Sequence, residues 1–264
     1  MLNKLFKYEI KATARIFIPL YITLIIFSII NKIFNTFPLE SGINIKGLFG
    51  IIRLFIYFGL VIGIQVITLV VQIQRFYKSL LGDEGYLMFT LPVKPWQHIL
   101  SKLFTSMIWI TLSGLSTVLS ILIIMPNDAF IDLTKAIPQG MSEVSHLFGS
   151  GTFLIIIEAI IFSILCMATG TLMIYAAIAL GHLVKKHKIL ASFGMYLGLN
   201  TGAQSIMIIF MIVIGSLYLK NFSNLSIHIQ IQTFLLSSLA YFSIIIAGLF
   251  ILTKYILDNK LNLE

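Results

Sequence analysis

The chain has 264 residues, of which 58% are hydrophobic and only 11% charged, and its mean hydropathy is strongly positive. A water-soluble globular domain carries about a quarter charged residues, so the composition excludes one and requires a polytopic membrane protein. The net charge of +8 would point to nucleic acid in a soluble chain, but here it falls under the positive-inside rule and implies no nucleic-acid partner.

Residues 1–15 place apolar Leu2, Leu5, Phe6 and Ile10 at helical spacing with lysines between them. This is the pattern of an amino-terminal helix lying in the membrane interface, basic side toward anionic headgroups. It leads straight into a first span over residues 16–34, where Pro19 is expected within the opening turns. No small-residue cleavage site follows, so the first span is expected to act as its own insertion signal. A short loop with Pro38 and Gly42 precedes a second span over 47–74.

Residues 75–102, RFYKSLLGDEGYLMFTLPVKPWQHILSK, form the most distinctive polar connection. Phe76, Leu80 and Leu81 fall on one face, Lys78, Asp83 and Glu84 follow before Gly85, and Pro92 with Pro95 start a new helix near Trp96. A short, partly amphipathic helix between two spans suits the docking of another protein. Its alternative is an interfacial turn with snorkelling lysines.

Span three covers 103–125, with a small-polar stripe of Ser113, Gly114, Ser116, Thr117 and Ser120 fit for close helix packing. Residues 127–150 read as a broken amphipathic piece on the membrane's far side, through Phe130, Leu133, Ile137, Met141, Val144 and Leu147. Span four covers 151–183 and carries Glu158 and the single cysteine, Cys166, which cannot form an intramolecular disulfide. A basic turn, Lys185-Lys186-His187-Lys188, leads to span five over 189–219, and span six covers 233–254. The expected fold is therefore an all-α membrane protein: one transmembrane domain over 1–264, six spans, an interfacial helix at the start and a connection at 75–102.

Six spans leave both termini on one side. That side carries 13 of the 18 Lys and Arg residues, and the other carries five, namely Lys32, Lys46, Arg53, Lys135 and Lys220. The positive-inside rule then makes the termini and the 75–102 connection cytoplasmic, in a plasma membrane.

Glu158 is the only acidic residue well inside a span, and an ionisable group at that depth is by default a functional candidate that needs a partner. Arg53 lies about six residues into span two and Glu158 about seven into span four, both about 10 Å from the outer span ends at helical rise. An intramembrane ion pair is expected, either as a gate on a substrate path or as a structural brace. Gly59 with Gly63, and Gly194, Gly198 and Gly202, form small-xxx-small steps for internal packing or for a subunit interface. Gln65, Asn200, Thr201 and Gln204 sit near mid-depth, for interhelical hydrogen bonds or for the lining of a conduit.

Catalytic patterns are missing. His98, His146, His182, His187 and His228 lie in loops or at span ends, and none belongs to an H-E-x-x-H motif. No GxxxxGK[ST] phosphate loop occurs either, so uphill transport would need energy from a partner or an ion gradient.

The run Asp83-Glu84-Gly85-Tyr86-Leu87-Met88-Phe89-Thr90-Leu91-Pro92-Val93, with Arg75-Phe76-Tyr77 before it and Gln97-His98 and Ser101-Lys102 after it, resembles the loop after the second span in a known family. That family comprises small six-helix permeases of ATP-binding-cassette (ABC) transporters from low-GC Gram-positive bacteria. Leu5-Phe6-Lys7-Tyr8-Glu9 and Lys11-Ala12-Thr13-Ala14-Arg15 are similar to its amino-terminal helix. The resemblance implies an ABCG-like, type V exporter subunit, with 75–102 as a cytoplasmic coupling loop. A separate ATPase would dock on Arg75, Phe76, Asp83, Glu84, Tyr86, Phe89 and Leu91, holding the ATP and magnesium; this chain would hold no cofactor and would not itself be an enzyme. A second permease chain, identical or different, would complete a dimer in the bilayer. Substrates of such systems include antimicrobial peptides, lantibiotics, drugs and lipids. The 127–150 segment is too small for the large extracellular domain of peptide-sensing permeases, which argues against bacitracin-type detoxification. The alternative is a non-transporting membrane scaffold or sensor that docks a soluble cytoplasmic partner.

Overall fold

Hydrocarbon offers the backbone no hydrogen-bond partner, so a chain this apolar has to bond its N–H and C=O groups within each segment, which helices do. The structure is a computed structural model that describes residues 2–36, 43–82, 85, 93–184, 186–221 and 227–259. Among them are seven α-helices and no strand. In order these are α1 (Leu2–Thr36), α2 (Ile43–Phe76), a π-helical turn (Tyr77–Leu81), α3 (Pro95–Ile124), α4 (Asn127–Phe148), a 3-10 turn (Gly149–Gly151), α5 (Thr152–His182), α6 (Lys188–Asn221) and α7 (Ile227–Asn259). All but α4 are long and apolar enough to cross a membrane, giving six candidate spans and a multi-pass membrane protein.

Two local expectations change. Residues 2–15 and the first span are one continuous helix, so Pro19 lies in its interior and not in an opening turn. The ring removes the N–H that would bond the Arg15 carbonyl four residues earlier. The piece expected to be broken, 127–150, is instead one 22-residue helix, α4, which continues through Pro138.

The chain divides into two compact units, Met1–Gln74 with Phe104–Gln139, and Arg75–Leu103 with Gly140–Glu264. In the first unit, buried positions on each helix recur mostly at steps of three, four or seven residues, so each presents one seam. Phe17, Val71 and Trp109 form one cluster, flanked by Ile10, Ala14, Tyr21 and Ile67. Leu24, Tyr57 and Ile64 form another, flanked by Leu20, Phe27, Leu60, Val61 and Ile124. Phe17 stacks on Trp109 with ring centroids 4.6 Å apart.

Polar side chains stitch the same seam. The Trp109 indole donates to Thr13 Oγ1 at 2.7 Å, and the Tyr57 and Ser120 hydroxyls meet at 2.7 Å. Gln65 donates to Thr117 Oγ1 at 3.4 Å and accepts from Ser113 Oγ at 3.3 Å. Gln65 and the small-polar stripe of α3 therefore serve interhelical bonding.

The second unit is built on α5, which packs against both α6 and α7. From Thr171 onward, Leu172, Met173, Tyr175, Ala176, Ala177, Ile178 and Ala179 are all buried. A helix hydrophobic all round is a core helix, and the alanines let neighbours come close. On the other side of the unit the Tyr241 hydroxyl of α7 donates to the Ala203 carbonyl of α6 at 2.7 Å.

Trp109→Phe keeps a ring on Phe17 but removes the Thr13 bond and part of the indole's volume, so it should cost about 0.6 kcal/mol for the bond and about 1 kcal/mol for the lost volume. Trp109→Ala empties the ring site and should cost about 3–5 kcal/mol. Unfolding of purified protein in mixed micelles measures both; equal losses would mean that the hydrogen bond, and not ring packing, holds this site together.

Candidate functional site

A chain leaving a membrane helix must re-form its hydrogen bonds within a few residues, and after α2 it does so by widening. Residues Tyr77–Leu81 adopt a π-helical turn, in which the Gly82 N–H bonds the Tyr77 carbonyl at 2.9 Å. Such turns occur frequently at functional sites. The extra residue per turn rotates Ser79, Leu80 and Leu81 into the unit, where all three are buried.

Just before the turn, Phe76 is fully buried and stacks on Tyr175 of α5, with centroids 4.1 Å apart and planes 9° from parallel. The Tyr175 hydroxyl then donates to the Lys102 carbonyl of α3 at 3.3 Å. Tyr175 thus holds both flanks of the 75–102 connection, one by its ring face and one by its hydroxyl. Tyr77 meets His182, at the end of α5, edge to face at 6.1 Å. His98, Ile99, Ser101, Lys102 and Leu103 at the start of α3 are all buried.

This corrects one docking residue. Phe76 faces inward, because its ring fills the space against Tyr175, and is not presented to a partner. Arg75 is half-buried, and its carbonyl accepts the Ser79 hydroxyl. Gly85 is buried. Asp83, Glu84, Tyr86, Phe89 and Leu91 lie outside the described residues.

The end of α5 is held as closely as its middle. A Cβ built on Gly181 would overlap the backbone of Ser192 on α6, so only glycine admits this approach. His187, in the turn between those helices, has φ 57°, a left-handed conformation that histidine adopts more readily than branched residues do.

Arg53 and Glu158 belong to different units. Arg53 is half-buried on α2, its guanidinium carbon 5.4 Å from the centroid of the Phe34 ring, within cation–π range. Its Nη1 is buried without a hydrogen-bond partner among the described residues. Glu158 on α5 is 6% exposed, and its Oε2 is likewise buried without a partner among the described residues. Among the described residues, an added Cβ at Gly59, Gly63, Gly194, Gly198 or Gly202 meets no atom within 4 Å. Among the described residues no three His, Cys, Asp or Glu side chains gather as a metal site.

Tyr175, Gly181 and Ser192 are the residues that sequence reasoning misses. Tyr175 carries one signal, a lone aromatic hydroxyl in a run of alanines, but its partner Phe76 is remote in the chain.

No protein-family model matches the chain, and no curated protein or solved structure is similar to it.

Tyr175→Phe keeps the stack on Phe76, whereas Tyr175→Ala removes it together with the packing around it. Aromatic pairs contribute about 0.5–1.5 kcal/mol beyond area burial, and cleavage of a transiently opened segment follows the population of the open form. Tryptic cleavage after the exposed Lys78 should be roughly tenfold faster in Tyr175→Ala and within about twofold of wild type in Tyr175→Phe. Equal rates for all three would show that Tyr175 does not anchor the connection.

Proposed function

We propose that this chain is the transmembrane permease subunit of an ABC exporter, which couples ATP hydrolysis on a separate ATPase to export of a peptide, drug or lipid-like substrate. The observation that carries the reading is the 75–102 connection. Its sequence resembles the coupling loop of six-helix permeases, and both its flanks are tied through Tyr175 to α5, the central helix of the second unit. At its two described flanks, such a loop meets a membrane helix through a ring stack and a hydrogen bond.

In this reading residues 2–15 lie at the cytoplasmic interface, and both termini and the coupling loop face the cytoplasm of a plasma membrane. Support for that orientation is the placement of 13 of the 18 Lys and Arg residues on one side. The ATPase docks on Asp83, Glu84, Tyr86, Phe89 and Leu91, with Arg75 at the margin, and Phe76 holds the loop from behind. ATP and magnesium belong to the ATPase, and this chain supplies no catalytic group. A second permease chain completes the assembly, and the open faces at Gly59, Gly63, Gly194, Gly198 and Gly202 provide surfaces where another helix can approach closely.

The test is affinity purification of the full chain from cell membranes, with co-purified ATPase measured by yield and by hydrolysis in nanodiscs. Glu84→Lys with Phe89→Ala removes one charge pair and one aromatic anchor, so bound ATPase should fall at least about tenfold, or about 1.4 kcal/mol. Membrane insertion should be unchanged. If no ATPase follows the native chain, or if the double change leaves binding and hydrolysis intact, the transporter reading fails and the scaffold or sensor reading replaces it.

A further inference from the structure

Helix α4 stands apart from the other six. It is not among the candidate spans, and none of its residues is buried. At 100° per residue, Phe130, Leu133, Ile137, Met141, Val144 and Phe148 fall within an arc of about 80°. The opposite side carries Asp128, Asp132, Lys135, Gln139, Glu143 and His146. Phe130, Ile137 and Met141 are each at least 45% exposed, so this part of the stripe lies open.

We infer that α4 lies in the plane of the bilayer surface, its apolar stripe bedded at the headgroup–acyl boundary and its acidic side toward water. The occupant follows from how the helix is attached. Only Met125 and Pro126 separate α4 from the end of α3, and only Gly149–Gly151 separate it from the start of α5. The spans α3 and α5 are consecutive, so the chain leaves and re-enters the bilayer through the same face. Both ends of α4 are therefore pinned at that face, and lipid is an apolar partner held permanently at high effective concentration. A soluble protein or a second copy would have to compete with a surface already in contact.

The helix chemistry fits that depth. Pro138 leaves the Thr134 carbonyl without its α-helical donor. In the hydrocarbon core such a carbonyl has nothing to bond, while at the interface water reaches it. Asp128 stands in the first turn and His146 in the last, each suited to its end of the helix dipole. Gly149, at φ +53°, reverses the chain after the last turn, and the Thr152 hydroxyl bonds its carbonyl at 2.9 Å as α5 begins.

Charge narrows the ligand further. Three acidic residues on the polar side outweigh the single Lys135, so anionic headgroups give no attraction. The contact is apolar and suits a zwitterionic surface, unlike the basic interfacial helices that seek anionic lipid. The inference rests on the six spans alone and stands or falls independently of the transport reading.

The experiment uses the full chain with Cys166→Ala and one added cysteine at a time, Ile137→Cys or Met141→Cys on the stripe, Lys135→Cys or Glu143→Cys opposite. Each is spin-labelled and reconstituted in phosphatidylcholine vesicles, and collision with oxygen is compared with collision with a water-soluble nickel chelate. Stripe labels should favour oxygen over nickel by several fold and the opposite labels should reverse this, with no change at high salt or on adding phosphatidylglycerol. Stripe labels as open to nickel as the opposite ones would mean a helix free in water and overturn the inference. Stripe labels shielded from both probes would mean a protein cover, such as a second copy, and overturn it equally. Contact that appears only with phosphatidylglycerol would overturn the zwitterionic assignment.

Discussion

Between helices in a membrane there is no hydrophobic driving force, because lipid tails are as apolar as leucine. Close association must come from shape, from small residues and from hydrogen bonds that hydrocarbon cannot replace. The first unit meets this constraint with a mixed seam in which apolar clusters alternate with paired polar groups. Thr13 with Trp109, Tyr57 with Ser120, and Gln65 with Ser113 and Thr117 each join two helices. Each bond is weak, of the order of 0.6 kcal/mol. Their larger effect is on register, since sliding one helix by a residue would strand several polar atoms in lipid at once.

The second unit solves the same problem by close approach. Ala176, Ala177, Ala179 and Gly181 strip α5 of bulk near its end, and Gly181 brings it against the backbone of Ser192. In this region stands Tyr175, whose ring and hydroxyl reach the two flanks of the 75–102 connection. The tyrosine is 1% exposed, so ring and hydroxyl are both enclosed.

The helices were legible in the sequence because apolar runs of span length have few alternative uses. Their contacts were less so. Buried and exposed faces of a membrane helix are nearly equally apolar, which left the roles of Gly59, Gly63, Gly194, Gly198 and Gly202 open until their surroundings were known. Phe76 misled for a related reason. An aromatic residue flanking a polar loop has the same local pattern whether it faces a partner or its own core, and Tyr175 decides the matter from another span. The 127–150 segment differs in the opposite direction, since the piece expected to be broken is one helix that continues through Pro138.

The interleaving of the two units sets an order of events during synthesis. The first unit ends at Gln139, but the segment Arg75–Leu103, inserted within its sequence, belongs to the second. Phe76 is made 99 residues before the tyrosine that covers it. At about 5–20 residues per second that gap lasts on the order of ten seconds. Through that interval the most distinctive stretch of the chain has left the ribosome while its anchor has not. The nascent protein therefore passes through a stage in which the helices of the first unit emerge while Phe76 still lacks the ring it stacks on.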